Sequence, residues 1–315
     1  MFKSVFFILL GCLCGPLMAQ PKSAKNFQTI DYQLVVDNDA FTLDLTKDQY
    51  YSSGIYAAVR FLGDSGVNVK KIWSVQLNHR MYTPSWIGWD RISSLDRPYA
   101  GQVSVSGIAE FYFDKNVYYK INAELGIMGP NALVGEAQAE WHAWFGMPQP
   151  KGWKYQIENT LIANAEITRI KPFYSSYNIE LSNITNANIG TVLNNIRHEF
   201  MIRLGELRPL HQSAYTSAAL GRTRSAKRNS AMKEFYFFYA PGLEYVFQNA
   251  SLQGSLFSDA SPYTVDAIPW IWQHRLGVMF SWSRFDLGLI SYWRSQENET
   301  ATKHNYVGIR LNQRF

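Results

Sequence analysis

From about residue 28 to the C-terminus the chain alternates apolar and polar positions with a period of two, the pattern of β-strands with two unlike faces. In 119–127, Tyr119, Ile121, Ala123, Leu125 and Ile127 fall on one side, and Lys120, Asn122, Glu124 and Gly126 on the other. In 102–113, Val103, Val105, Ala109, Phe111 and Phe113 oppose Gln102, Ser104, Ser106 and Glu110. Trp73, Val75 and Leu77 likewise oppose Ser74, Gln76, Asn78 and Arg80. Such runs predict twelve strands, near 28–37, 51–62, 70–82, 100–113, 117–128, 153–169, 173–186, 192–204, 234–248, 268–282, 285–295 and 305–315. Strands of soluble domains usually run about 5–6 residues; many of these are long enough to cross a bilayer at a tilt.

The polar faces carry charges such as Lys120, Glu124, Arg203, Arg275 and Arg310. A soluble sandwich would turn them to water, a membrane barrel to its lumen. Aromatic residues favour the barrel. They make up 15% of the chain and gather at predicted strand ends (Trp153, Tyr155, Trp270, Trp272, Trp282, Tyr292, Trp293), as interfacial girdles do. The final strand stops on Phe315, an ending that resembles those of many outer-membrane barrels. The expected fold is all-β: one twelve-stranded antiparallel transmembrane β-barrel over 20–315. No segment beyond residue 20 has the roughly 20 apolar residues of a membrane helix, which says nothing against a barrel.

Before the barrel, Met1-Phe2-Lys3, an apolar run from Val5 to Leu10, and Ala19 ahead of Gln20 predict a secretory signal over 1–19. Leu9-Leu10-Gly11-Cys12 offers a rival lipoprotein cut. Both cysteines, Cys12 and Cys14, lie in this leader, so the exported chain would rely on no disulfide.

One stretch breaks the alternation. Gly129–Gly146 predicts a short helix in the outer loop between strands five and six. Pro130 suits a first turn, while Pro148 and Pro150 forbid continuation. Gln138 and His142, four residues apart, share one face; Val134, Ala137, Trp141 and Trp144 form the other. With both termini in the periplasm, odd-to-even connections face outward and even-to-odd connections are short inner turns. Asp114-Lys115-Asn116 and Ser283-Arg284 fit as inner turns; 83–99, 129–152, 249–267 and 296–304 fit as outer loops. Segment 206–233, with Arg208, Arg222, Arg224, Lys227, Arg228 and Lys233, is long for an inner turn. It predicts missed strands, an inner helix or an unstructured arm. Its charge at a net +5 reads as a solvated face, and no nucleic-acid partner is expected.

By the same parity, Asp37-Asn38-Asp39 at the end of strand one, Tyr50–Gly54 at the start of strand two, and the Gln138/His142 helix meet at one rim. Each alone has a bland explanation: turn formers, girdle tyrosines, a helix whose histidine bonds to its neighbours. Their convergence points to a site.

The ordered set Asn38-Asp39, Tyr51-Ser52 with Gly54, Tyr82-Thr83-Pro84-Ser85, Asp96-Arg97, Gly129-Pro130 with Gln138 and His142, and Trp153 with Gln156-Ile157-Glu158-Asn159 resembles the outer-membrane lipid A 3′-O-deacylase family, the LpxR-like proteins. The resemblance covers strands one to six; the second half is similar only in strand rhythm. It implies an integral outer-membrane hydrolase with its site facing the outer leaflet. That enzyme would cleave the ester holding the 3′ acyloxyacyl group of lipid A, with calcium as cofactor, lipopolysaccharide as partner and a monomer as the expected state. It implies His142 as general base on water, and Asn38 and Asp39 as orienting groups and calcium ligands. Ser52 would be a site hydroxyl and Gln138 a polar partner beside the histidine. The chemistry is compatible: imidazole titrates near neutral pH, and calcium takes oxygen ligands.

Two departures matter. A Lys-Arg pair suited to lipid A phosphates is replaced by Trp86-Ile87-Gly88-Trp89-Asp90-Arg91, which leaves Arg91, with Arg97, as the candidate substrate-binding cations. An acidic residue expected beyond the histidine is replaced by Met147-Pro148-Gln149. Glu158, by strand parity, is expected to face the lumen. Two rival readings stand beside the deacylase: an outer-membrane phospholipase with Ser52 as nucleophile, and a non-catalytic porin-like or structural barrel.

Overall fold

Strands appear where the period-two pattern predicts them. A computed structural model describes residues 28–42, 48–64, 68–221 and 233–315. The predicted signal 1–19, with Cys12, and the cations Arg222, Arg224, Lys227 and Arg228 lie outside the described residues. The strands are β1 (Ile30–Asn38), β2 (Tyr50–Leu62), β3 (Val69–Thr83), β4 (Ala100–Phe113), β5 (Val117–Met128), β6 (Thr160–Ser175), β7 (Ile179–Gly190), β8 (Leu193–Glu206), β9 (Glu234–Asn249), β10 (Trp270–Trp282), β11 (Phe285–Arg294) and β12 (His304–Arg314). Each pairs with its chain neighbour, and β12 returns antiparallel onto β1 to close a twelve-stranded barrel. Closure pairs every backbone edge, as a hydrocarbon surrounding demands.

Two strand starts differ from the pattern. β6 begins at Thr160 rather than 153, because Trp153–Tyr155 forms a 3-10 turn. The alternation of Trp153, Tyr155 and Ile157 continues through a loop whose aromatics pack with Ile87, Leu95 and Tyr99. Glu158 therefore precedes the strand, its N–H donating to Ser261 Oγ at 3.2 Å, and the parity that sent it to the lumen does not apply. β6 runs on to Ser175, which delays β7 from about 173 to Ile179.

The two faces of the wall are inverted relative to a soluble protein. Val75, Leu125, Leu161 and Phe200 are exposed on the outside. The inside holds buried and half-buried charges, many of them paired with one another. Arg60 sits between Asp31 and Glu110 at 2.9 and 2.5 Å. Arg203 meets Glu180 at 2.6 Å, Arg275 meets Glu199 at 2.8 Å, and Lys120 meets Glu166 at 2.8 Å. Removing one partner of such a pair leaves an uncompensated buried charge, so the lumen specifies its own wall.

Residues 207–221, the described part of the long inner connection, are neither strand nor α-helix. After a 3-10 turn at Leu210–Gln212 they fold up into the barrel as a plug. Leu210, Ala214, Ala218 and Leu220 pack against Ile72, Tyr112, Met201, Tyr236 and Phe238 of the wall. Side chains of the wall satisfy the plug's backbone. Glu234 accepts from the Ala214 N–H at 2.7 Å and from Ser213 Oγ at 2.8 Å. Arg60 donates to the Ser217 carbonyl at 2.7 Å, Tyr112 to that of Thr216 at 2.9 Å, and Arg310 to that of Tyr215 at 2.8 Å. On the loop side of the plug lies a polar cavity of about 300 Å³, lined by Arg80, Glu124, Glu166, Arg197, Glu244 and Arg294 among others.

Candidate active site

The predicted helix is α1, Val134–Phe145, preceded by a 3-10 turn at Pro130–Ala132 and ended by Gly146 at φ +65°. Its position follows from one residue of β4. Gln102, Ser104 and Ser106 point into the barrel and are buried there, so Gly101 points outward. A Cβ on Gly101 would collide with Val134. Helix α1 thus lies against the outside of the wall, beyond the loop ends of β3 and β4. Met81, paired with Gly101 on β3, is buried beneath it, whereas Val75 and Leu77 lower on that face are exposed. The helix turns Val134, Gly135, Gln138 and His142 inward and leaves Trp141, Trp144 and Phe145 exposed.

His142 is held at both ring nitrogens. Nδ1 is 2.5 Å from the Pro148 carbonyl oxygen, which can only accept, so Nδ1 carries a hydrogen. Nε2 is 3.0 Å from Asp48 Oδ2. The Asp48 hydrogen bond raises the imidazole pKa above its usual 6.5; burial opposes this and the Pro148 carbonyl reinforces it. Asp48 in turn accepts from Ser52 Oγ, and its own carbonyl accepts from Thr83 Oγ1 at 2.9 Å. Ser52 reaches this carboxylate because β2 bulges there: pairing with β3 shifts between Tyr51 and Ser53. Tyr51 then turns inward to Asp37 and Tyr56, while Ser52 is released toward Asp48. Bulges commonly re-aim a side chain in this way beside active sites. Tyr50, just before it, holds φ +59° and is tied through its hydroxyl to Asp96 at 3.1 Å and by the Thr302 N–H at 2.7 Å.

Asn38 and Asp39 lie alongside. Asn38 Oδ1 accepts from the Ala40 N–H at 2.8 Å, and Asp39 Oδ2 from the Gln49 N–H at 2.7 Å, one residue from Asp48. Asp39 also donates its own N–H to the Ser52 carbonyl at 3.2 Å. Burial pushes the Asp39 carboxyl up to about 8; the Gln49 N–H opposes this, and the neighbouring Asp48 charge adds to it.

The fold thus gathers His142, Ser52, Asn38 and Asp39 around Asp48, a residue the sequence reasoning missed. Gln138 meets Trp153 rather than the histidine: the indole N–H donates to Oε1 at 2.7 Å. An indole cannot accept, so the amide orientation is set and Nε2 is left buried with no partner among the described residues. Arg91 is exposed in the β3–β4 loop. Arg97 is fully buried. It pairs with Glu297, donates to Ser251 and stacks 4.9 Å from the Tyr82 ring, tying three loops together rather than facing a ligand. None of His142, Asp48, Ser52, Asn38, Asp39 or Gln138 lines the lumen cavity. The cluster belongs to the outer face of the wall, under α1.

A model of the outer membrane protein family LpxR matches residues 5–315. The chain belongs to the LpxR family of outer membrane proteins. Among solved structures it is similar to LpxR from Salmonella typhimurium, at TM-score 0.71 and 17% identity, covering 90% of this chain and 100% of that one. It is also similar to the translocator domain of the autotransporter NalP from Neisseria meningitidis, at TM-score 0.47 and 9% identity, covering 99% and 97%. The β domain of the Bordetella autotransporter BrkA gives 0.46 and 8%, covering 91% and 99%. No curated protein sequence matches. As in the LpxR structure, the fold is a closed antiparallel barrel, and the chain is an integral outer-membrane protein.

Proposed function

We propose that this LpxR-family barrel is a lipid A deacylase. It hydrolyses the ester of the 3′ acyloxyacyl group, with the loop-rich end outside the cell and its site toward the outer leaflet. The observation that carries the reading is the Pro148–His142–Asp48–Ser52 hydrogen-bond chain, its imidazole and hydroxyl buried, on the lipid side of the wall. A polar cluster with an imidazole has no structural need to be there, and a substrate anchored in the leaflet would reach it without entering the lumen.

His142 acts as the base. With Nδ1–H held by Pro148, proton exchange is confined to Nε2. A water entering between Nε2 and Asp48 Oδ2 would donate one hydrogen to each, turning a lone pair toward the ester carbonyl. His142 takes the proton as the water attacks, with Asp48 balancing the imidazolium. It returns the proton to the sugar 3′ oxygen as the ester C–O bond breaks, which frees the fatty acid and restores the neutral base. Ser52 holds Asp48 in register, and Gln138 offers its unpartnered Nε2–H to charge developing on the carbonyl oxygen. Ser52 as a nucleophile finds no support in the geometry, because its hydroxyl donates to Asp48 and not to the imidazole. A porin role is disfavoured by the plug.

Asn38 and Asp39 would hold calcium. Both present hard oxygens with a free lone pair, and Asp39 is a buried carboxyl beside a second acid, a setting a cation relieves. Among the described residues no group of three His, Cys, Asp or Glu is placed to hold a metal, so carbonyl oxygens and water would complete the shell. Bound there, calcium would polarise the ester carbonyl as a Lewis acid.

Mass spectrometry of lipid A from cells expressing the chain or His142→Ala, with and without chelator, tests the reading. Loss of an acyloxyacyl mass with the native chain alone is expected; identical spectra throughout would overturn it. A rise in melting temperature on adding calcium, absent in Asp39→Asn, checks the metal site without relying on activity.

A further inference from the structure

The helix that carries His142 turns Gln138 and His142 to the protein, while its exposed side carries Glu136 and Glu140 and, along one flank, a run of aromatic residues. Trp141, Trp144 and Phe145 are 42%, 50% and 62% exposed. They stand at i, i+3 and i+4, one stripe of a helix, and the Trp141 and Phe145 rings pack at 4.6 Å. The location is also specific. Because Val134 covers Gly101 on the outer face of β4, the stripe continues, toward the loops, the exposed apolar row of Leu77 on β3 and Val105 on β4.

We infer that this stripe is a membrane anchor: Trp141, Trp144 and Phe145 insert among the acyl chains at the boundary of the outer leaflet and set the depth at which the His142 cluster works. The inference rests on the lipid-side reading of the site given above. Indole and phenyl rings favour this boundary because they join a large apolar area to a polarisable or polar edge, and a helix lying in the interface buries just such a face. A second copy of the chain is a poorer occupant. Half-exposed aromatics of about 150–250 Å² each leave the stripe well short of the ~800 Å² per partner of a stable interface. Continuity with the barrel's own lipid-facing band supplies an occupant with no new partner. The anchor and the imidazole share one rigid helix, so anything that tilts the stripe moves the base relative to the ester.

The test uses the full chain reconstituted in vesicles made with lipids brominated near the top of the acyl chain, comparing the native chain with W141F/W144F. These variants keep the packing and remove only the reporters. The expected result is a component of tryptophan quenching by brominated lipid that is present in the native chain and lost in the variant. Iodide added to the water should quench that component little. Equal lipid quenching in both chains, or a component reached by iodide instead, would overturn the anchor. So would cross-linking of the stripe to a second copy. None of these readouts needs the chain to hydrolyse anything, so the anchor and the deacylase reading fail independently. If the anchor holds, W141S/W144S/F145S should lose most hydrolysis of membrane-embedded substrate while keeping the heat-resistant barrel band in gel electrophoresis.

Discussion

His142 Nε2 lies 3.0 Å from Asp48 Oδ2, and the opposite nitrogen of the same ring is held by the Pro148 carbonyl at 2.5 Å. A proline just beyond the end of the helix therefore sets the tautomer. A carbonyl occupies the place where an acidic side chain was expected, and the carboxylate comes from a different loop.

The Asp48 contact raises the imidazole pKa above 6.5, so the folded chain holds this proton more tightly than the unfolded chain. The pair therefore stabilises the fold below about pH 6.5, and that contribution is lost as pH rises through the raised pKa. The proposed catalysis runs the other way, because His142 as base must be neutral: the rate is expected to fall as pH drops through the same value. Asp48→Asn should move this acidic limb to lower pH while reducing the plateau. His142→Ala should cost about 10²–10⁴-fold in rate. A pH–rate profile of the Asp48→Asn chain whose acidic limb does not move would remove Asp48 from the mechanism.

Ser52 offers a sharper separation of mechanisms. Its hydroxyl holds Asp48, so Ser52→Ala removes one hydrogen bond to a charged group, about 1.5–3 kcal/mol, or a loss of about 10–100-fold. A nucleophile would be lost entirely, and the native enzyme would form an acyl adduct on Ser52. Intact-mass measurement during turnover distinguishes the two, and an acylated chain would reverse the assignment.

Much of the barrel was legible because strand periodicity is written in every residue. Leu125 and Leu161 point to lipid, and Glu124 points inward, as alternation required. What escaped had no period. Asp48 precedes a strand and carries no signal except its spacing of four from Ser52, which becomes meaningful only once the bulge turns that hydroxyl. The bulge also hid which side of the wall the site occupies, since one extra residue changes the phase of every side chain before it. The plug is built from small residues such as Ala214 and Ala218, chosen to fit between lumen side chains rather than to repeat. Conversely, Trp153, Tyr155 and Ile157 kept a strand's rhythm in a loop, because aromatic packing there favours the same residue types.

Gly101 permits α1 to lie on the wall. Gly101→Val would place a side chain where Val134 sits, lifting the helix outward. Overpacking of this kind costs about 1–3 kcal/mol, which a closed barrel tolerates, but it displaces His142 from Asp48. Activity should fall by more than melting temperature indicates, and Val134→Gly in the same chain should restore part of it. If the double variant is no more active than Gly101→Val alone, the contact does not position the helix.

The plug should make the barrel non-conducting despite its polar lumen. Backbone carbonyls of Tyr215, Thr216 and Ser217 are each held by a wall side chain, and Glu234 collects the Ala214 N–H, the Ser213 hydroxyl and the Arg208 N–H at 2.7, 2.8 and 3.2 Å. Glu234 also lies 3.7 Å from Arg203, which Glu180 already pairs at 2.6 Å, so it ties the plug to β8 and β9. Glu234→Ala leaves the buried Ala214 N–H and Ser213 hydroxyl without this acceptor and should destabilise the chain by about 1–3 kcal/mol. Replacing 209–221 by a short Gly-Ser linker should leave the wall closed, since all twelve strand pairings lie outside this segment. The polar cavity would then continue to the end of the barrel from which the plug enters. In planar bilayers the native chain is expected to pass no steady current and the plugless chain to open stepwise. Equal conductance in the two would mean that ions already bypass the plug, and the porin reading would regain its standing.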